Sequence, residues 1–366
     1  MIRRGPAERP TGPAGDTTVC NRLHNMLGSE EKGRADVAVT IRDVARASGV
    51  HVSTVSRAFS APHLVNAETR TRVLAVAEGL GYRPNRAARA LTTGRTHNIG
   101  LIVADIANPF FPPLIKAAQA QARVHDYHVY VADTDEDPRT EEELIRTLRR
   151  QVDGVLLCSP RLSNRAIERL REDVPFVVVN RRIRGMPAVL MDVGAGARRA
   201  LEHLAGLGHR RIALVLGPRG SWTGRRMRAA AAAAREVEVV VVGPNAPTEQ
   251  GGLAAAERVL ASGATAVLAY NDLVALGLIE GLYERGVRVP EDISVVGVDD
   301  IGAARLNRPK LTTIAMPTAA AGRIAVDLLV QSAAERAAPT VASLDTELVI
   351  RESTGPVAGR RAAGAP

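Results

Sequence analysis

The sequence predicts two folds in series: a small all-α helix-turn-helix unit over residues 39–84, and a larger α/β domain of doubly wound parallel sheets over residues 99–353. Three observations carry this prediction. Short helical apolar patterns fill Thr40–Leu80. From Ile99 onward, β-branched apolar runs alternate with amphipathic stretches, the signature of parallel strands joined by crossover helices. Between Thr40 and Asn98, nine arginines face only Asp43, Glu68 and Glu78, so this sixth of the chain holds +6 of its net +9. Concentrated arginine with few carboxylates is the electrostatic footprint of a phosphate-binding module.

The flanks differ from both folds. Residues 1–38 are rich in Pro, Gly and Arg without an apolar period, and read as a disordered tail, with Met26 a possible later start. They lack the apolar core of a secretory signal. No run of about 18 apolar residues exists to cross a membrane, so a cytoplasmic protein is expected. Cys20 and Cys158 are too few for a disulfide framework or a cysteine zinc site, and Cys158 in G-V-L-L-C-S-P reads as a buried strand residue.

Taken in order, the first helix opens at Thr40, a good N-cap, with Asp43 favouring its positive end. Ile41, Val44 and Ala45 share a face, and Ala45 is small enough for close helix packing. Gly49 suits the left-handed turn between helices. Val50 plugs the core and Val55 repeats the apolar face, leaving Val52, Ser53, Ser56 and Arg57 outward. Short polar residues plus an arginine able to fork onto guanine suit a helix in a major groove. A third helix follows, capped by Asn66, striped by Val73, Leu74, Val76 and Ala77, and stopped at Gly79 or Gly81. Residues 85–98 read as a short helix and a polar connector. Ala87, Ala88 and Ala90 keep that helix thin enough for a minor groove, and Arg86 and Arg89 can reach phosphates. So short a helix is marginal alone and should order only with a partner.

Thr40–Ser60 and the following G-Y-R-P-N-R-A-A-R-A-L resemble the DNA-binding headpiece of the lactose-repressor (LacI/GalR) family. The shared pattern is a T-I-x-D-V-A start, a T-V-S-R recognition helix and a Y-x-P-N-x-x-A-x-x-L hinge. His51 departs from it, standing where the family usually has a capping serine; the cap should be weaker, or pass to Ser53. The resemblance implies DNA contacts from Thr40, His51, Val52, Ser53, Thr54, Ser56, Arg57, Asn66, Asn85, Ala88 and Leu91. It implies that Leu91 of each subunit wedges into the central base step of a palindromic operator. The partners expected are duplex DNA, a second copy (a homodimer or dimer of dimers) and a small-molecule effector, with no membrane.

In the α/β domain the expected strands are Ile99–Val103, Val129–Ala132, Gly154–Leu157, Phe176–Val179, Ile212–Leu216, Val237–Val242, Ala266–Ala269 and Ser294–Val298. Phe111–His125, Glu141–Gln151 and Ala197–Leu207 read as helices between them. Likeness to the family continues through I-G-L-I-V-A-D-I-A-N-P-F-F, G-H-R-R-I-A-L-V-L-G-P and the run from Ala269 to Asp300. It implies a periplasmic-binding-protein-like sensor of two subdomains with chain crossings near Asp192, Pro317 and Leu344, and a tail over 354–366.

Ligands of doubly wound sheets bind beyond the carboxyl ends of the strands. That rule selects Asn108 and Phe110 after the first strand, Ser159 after the third, Arg181 after the fourth, Asn271 and Asp272 after A-V-L-A-Y, and Asp299 after S-V-V-G-V. Trp222 lies in the loop G-P-R-G-S-W-T-G-R-R, where the family has a cleft-lining arginine and then a glycine. Arg225 or Arg226 would be that arginine, and Ala229 replaces the glycine. Amides, carboxylates and arginine beside aromatic rings suit a polyhydroxylated ligand such as a sugar. Each residue taken singly suits a turn or cap equally well, Asn108 before Pro109 above all.

No cofactor is expected. Gly194 and Gly196 imitate part of a dinucleotide fingerprint, but the third glycine and the ribose-binding acid are missing. No metal motif or nucleophile–base constellation occurs, which argues against an enzyme. The reading is a ligand-modulated repressor of carbohydrate genes. Its rivals are a same-fold activator, an effector-independent regulator and a purine-type, corepressor-dependent repressor.

Overall fold

The computed structural model describes residues 39–83, 94–172, 174–334 and 339–357. The tail at 1–38, the hinge residues Asn85, Ala88 and Leu91, and Cys20 lie outside them. The chain divides into two compact units at Asn85/Arg86.

The first unit is three helices, α1 (Ile41–Ser48), α2 (Val52–Ser60) and α3 (Ala67–Gly79), with a 3-10 turn at Pro62–Leu64. Val44, Ala45, Val55, Ala58, Val73 and Ala77 form its core, and Val50, Val52, Phe59, Val76 and Tyr82 pack around it. Leu74, expected in the α3 stripe, is only half-buried. Gly49 takes φ 68°, which lets Val50 N–H donate to Ala45 O at 3.1 Å and turns the chain sharply between α1 and α2. Gly81 does the same after α3, at φ 67°.

The second unit holds two six-stranded sheets. The first is built from β1 (Asn98–Val103), β2 (His128–Asp133), β3 (Gly154–Cys158), β4 (Phe176–Val179), β5 (Ala188–Met191) and β11 (Val341–Leu344). The second comprises β6 (Arg211–Val215), β7 (Glu238–Val242), β8 (Ala266–Ala269), β9 (Ser294–Asp299), β10 (Thr312–Ala315) and β12 (Glu347–Val349). Their strand orders, β11-β5-β4-β3-β1-β2 and β12-β10-β9-β8-β6-β7, are equivalent. Every pairing is parallel except β10 with β12. Fully buried runs such as Gly154–Cys158 and Ala266–Ala269 are what a sheet covered on both faces requires.

The helices that matter for the site are α4 (Phe111–Val124), α5 (Pro138–Leu148), α6 (Asn164–Leu170), α7 (Val193–Gly206), α8 (Trp222–Ala233), α9 (Glu249–Ala261), α10 (Asp272–Tyr283), α11 (Gly302–Leu306) and α12 (Thr318–Ala334). Two start earlier than the sequence suggests. Asp137 accepts from Arg139 N and Thr140 N at 3.2 and 3.1 Å, with Pro138 at the first helical position, so α5 begins before Glu141. Asp192 accepts from Ala195 N at 3.0 Å, so α7 begins before Ala197 and absorbs Gly194 and Gly196. A Cβ on Gly196 would lie 2.5 Å from Ile314 Cγ2, so this glycine serves helix–sheet packing.

The chain passes from one sheet to the other at Asp192, at Met316–Pro317 and at Asp345–Thr346. After the second passage, α12 lies across β3, β4 and β5 and against α4. Both ends of the domain extend past the expected boundaries. Thr96 N and Oγ1 donate to Asp153 Oδ1 at 2.6 and 2.8 Å, fastening the connector to the first sheet. Gly355 N donates to Ser294 Oγ at 3.0 Å and Val357 N to Leu207 O at 3.2 Å, so 354–357 belong to the folded body. Buried His209 stitches the same region, its Nε2 standing 3.0 Å from Ser294 Oγ and 3.1 Å from Gly355 O.

Candidate functional site

On the helical unit, Thr40 donates from its backbone N–H and its hydroxyl to Asp43 Oδ2, at 3.0 and 2.7 Å. The hydroxyl bond above all holds the Asp43 carboxyl below its ordinary range. His51, expected to weaken the cap, caps α2 itself: Nδ1 accepts from Ser53 N at 3.3 Å and stands 2.8 Å from Ser53 Oγ. An accepting Nδ1 leaves the proton of a neutral ring on Nε2. Ser53, Ser56 and Arg57 form an exposed face. Val52 does not stand clear with them; it is half-buried against the core, as is Thr54 in exposure. Asn66 Oδ1 accepts from Glu68 N at 2.9 Å, which makes it the cap of α3.

In the α/β unit, the carboxyl ends of both sheets meet around one narrow cleft, about 420 Å³ of empty space with its open mouth included. The first sheet contributes Asn108 and Phe110 after β1, Glu136 after β2, Ser159 and Arg161 after β3, and Asn180 after β4. The second contributes Thr223 from α8, Pro247 after β7, Tyr270 and Asn271 after β8, Asp299 at the end of β9, and Met316 after β10. Glu136, Ser159, Asn180 and Asp299 adopt positive φ (62°, 51°, 60° and 118°), a conformation that side-chain-bearing residues rarely take. Strain of this kind collects where a site must hold side chains in place.

The cleft's polar groups are extensively tied. Arg161 Nε and Nη2 clasp both carboxylate oxygens of Glu136, while Nη1 donates to Ser159 O at 2.6 Å. Behind it, buried Glu141 accepts from Arg161 N and Leu162 N at 2.7 and 3.1 Å, and burial pushes its carboxyl pKa up. Asn180 Nδ2 donates to Thr223 Oγ1 at 3.2 Å, a bond from one sheet's loop to the other's helix. Tyr270 OH pairs with Ser221 Oγ at 2.8 Å. Asn271 caps α10 through Val274 N at 2.9 Å and donates to Pro247 O at 2.9 Å. Asn108 makes the expected turn, its Oδ1 accepting from Phe110 N at 2.9 Å.

The structure thus gathers Asn108, Phe110, Ser159, Asn271 and Asp299 and leaves four expected residues outside. Arg181 is buried and spent on Pro160 O, Leu162 O and Asn164 Oδ1, bracing the loop that carries Arg161. Arg226 reaches toward Asp192 at 3.6 Å. Trp222 lines a separate hollow with Arg182, Arg184 and Pro339, and the Arg225 guanidinium stacks 5.6 Å above its ring. Asp272 is fully buried, its carboxylate turned onto Thr313 and Ile301, beside the cleft rather than in it. The sequence reading missed Glu136, Arg161, Asn180, Thr223 and Tyr270. The strand-end rule already pointed at the stretches holding Glu136 and Asn180; which of several adjacent polar residues turns inward depends on the backbone twist there.

A helix-turn-helix unit on the same chain as two sheets clasping a polar cleft defines a DNA-binding regulator with a ligand-binding module. Residues 40–85 match the model described as bacterial regulatory proteins, lacI family, and residues 201–354 match a periplasmic binding protein-like domain. The transcriptional regulator GalS of Salmonella typhimurium is 35% identical over 311 residues, covering 81% of this chain and 90% of its own. The ribose operon repressor of Halalkalibacterium halodurans is 32% identical, covering 86% and 97%. Among solved structures, the lac repressor dimer bound to operator and an anti-inducer superposes with TM-score 0.78 at 28% identity, covering 87% of this chain and 99% of that one. A CelR–cellobiose complex does so with TM-score 0.64 at 31% identity, covering 86% and 99%. The chain belongs to the lacI family: it is a DNA-binding transcriptional regulator and not an enzyme.

Proposed function

We propose that this regulator is a cytoplasmic repressor of carbohydrate genes, binding a palindromic operator as a dimer and releasing or gripping it according to a sugar held in the cleft. Ser53 and Arg57 read base edges in the major groove, Val52 touches bases from its half-exposed position, and Thr40, His51, Thr54, Ser56 and Asn66 position the unit on phosphates. Asn85, Ala88 and Leu91 contact the minor groove at the operator centre. Asn108, Phe110, Ser159, Asn271 and Asp299 hold the effector, joined by Arg161, Asn180 and Thr223.

The observation that carries this reading is the cleft itself, where strand ends of two equivalent sheets converge with strained polar residues. A ligand bridging such a cleft biases its closure, and a shifted subdomain is the means by which occupancy can alter dimer geometry. The names of relatives agree, among them a ribose operon repressor, a LacI family regulator solved with ribose and a CelR–cellobiose complex. Arg181, Trp222 and Arg226 act outside the cleft.

The test is a band shift against genomic operator fragments in graded salt, repeated with a panel of sugars. The expected result is a sequence-specific, salt-sensitive complex whose affinity changes with one sugar class. A protein that ignores duplex DNA even at low ionic strength overturns the proposal; a complex indifferent to every sugar overturns its effector half.

A further inference from the structure

The cleft's charges are specific enough to choose between two classes of sugar. Arg161 is the only cationic side chain among the residues lining it. It faces two carboxyls there, Glu136 and Asp299, and Glu136 already neutralises it through a two-point clasp. Three of the five guanidinium N–H groups are thereby engaged, counting the bond to Ser159 O at 2.6 Å. What remains is a pair of neutralised N–H donors, suited to hydroxyl oxygens and poorly suited to a phosphate, which seeks an unpaired cation.

The unmet groups point the same way. Asn180 is 4% exposed, and its Oδ1 has no hydrogen-bond partner. Asp299 takes part in no side-chain hydrogen bond or ion pair among the described residues, and is held at φ 118° on the cleft wall. The Asn180 oxygen calls for a donor from a ligand, since a buried polar atom left unpaired costs free energy, and the Asp299 carboxyl is free to pair with a ligand hydroxyl. Burial and the neighbouring Asp272 carboxyl push the Asp299 pKa well up, so this wall resists negative charge. Phe110, packed edge-on against Phe111 at 5.0 Å, supplies an apolar boundary. Arg182 and Arg184 line the separate Trp222 hollow instead.

We propose that the cleft selects a neutral, unphosphorylated monosaccharide, and that the Glu136–Arg161 pair excludes the phosphorylated form of the same sugar. This rests on the reading of the cleft as the effector site. A hydroxyl proton of the sugar satisfies Asn180 Oδ1, a further hydroxyl pairs with the Asp299 carboxyl, and its oxygens accept from the residual Arg161 donors. A phosphate dianion would meet a guanidinium already neutralised by Glu136 and a wall whose burial disfavours negative charge.

Calorimetric titration of the intact protein with matched pairs of free aldoses or ketoses and their monophosphates tests this. The expected result is one free sugar binding at least about tenfold more tightly than its phosphate. Glu136→Gln, which frees the Arg161 charge, should narrow that ratio by weakening the free sugar and strengthening the phosphate, with the urea midpoint confirming a folded variant. A sugar phosphate binding wild type as tightly as its free counterpart, or a ratio unmoved in a folded Glu136→Gln protein, overturns this inference and leaves the effector cleft standing. Failure of every sugar, free and phosphorylated, overturns the effector cleft and this inference together.

Discussion

The Thr313 hydroxyl donates to the buried Asp272 carboxylate at 2.5 Å, tying β10 to the first turn of α10. The other carboxylate oxygen accepts from Ile301 N at 2.9 Å, so one side chain gathers three elements just behind the cleft. Burial, the largest cause, pushes the Asp272 pKa up to about 7 from 3.8. The folded chain therefore holds this proton more tightly than the unfolded chain does. The group's contribution is most favourable below about pH 4 and is lost as the pH rises through about 7. Asp272→Asn keeps an acceptor for Ile301 and cannot ionise. Relative to wild type, the variant should gain on the order of 2–4 kcal/mol between pH 4 and pH 8. Urea unfolding of both proteins across that range measures it; parallel stability profiles would refute the assignment.

Arg57 stands exposed on α2, with Ser53 and Ser56 beside it. Its replacement by alanine should cost about 1–3 kcal/mol of operator binding and relax preference at one base pair per half-site. Selection of operators from a randomised pool would reveal the relaxed position. An unchanged consensus would remove Arg57 from base readout.

Gly49 separates conformation from space. A Cβ there would touch nothing within 4 Å, yet the residue sits at φ 68°. Gly49→Ala should destabilise the helical unit by about 1 kcal/mol through backbone strain alone. Gly49→Asn should cost less, because asparagine tolerates the left-handed region. Thermal melting of the two variants orders them; equal losses would mean that strain is not the cause.

Cys158 is buried at the end of β3, and burial pushes its thiol up to about 12. In a Cys20→Ser protein, a thiol reagent at pH 8 should label nothing until urea unfolds the α/β unit. Rapid native labelling would contradict the packing described for β3.

Much of this fold was readable from the residues because its strongest signals are local. Eight of the strands announce themselves as apolar, mostly β-branched runs, and Thr40, Gly49 and Asn66 mark where the helices begin and turn. The four strands that were missed, β5, β10, β11 and β12, are three or four residues long. All four sit at or beside a sheet edge, and at the edge itself half-exposed sequences such as Val341–Leu344 carry little hydrophobic signal. The strand-end rule pointed to the side of the sheets on which the cleft opens, but which residues line it was only partly legible. Arg181 and Arg161 are both arginines just past a strand, and nothing local distinguishes them. The distinction is made at long range: Glu136 is in place to clasp Arg161, while Pro160 and Leu162 carbonyls consume Arg181.

Leu329 of α12 fills the space above Gly154, where an added Cβ would come within 2.6 Å of it, and this lid for the first sheet arrives late in synthesis. A ribosome delivers β1 to β5 early, then β6 to β10, and only afterwards the helix that shelters the first sheet. Half-made chains consequently carry a bare, greasy strand surface through most of translation. Neither lobe can be cut out as one uninterrupted fragment, so the pair must mature as a single product.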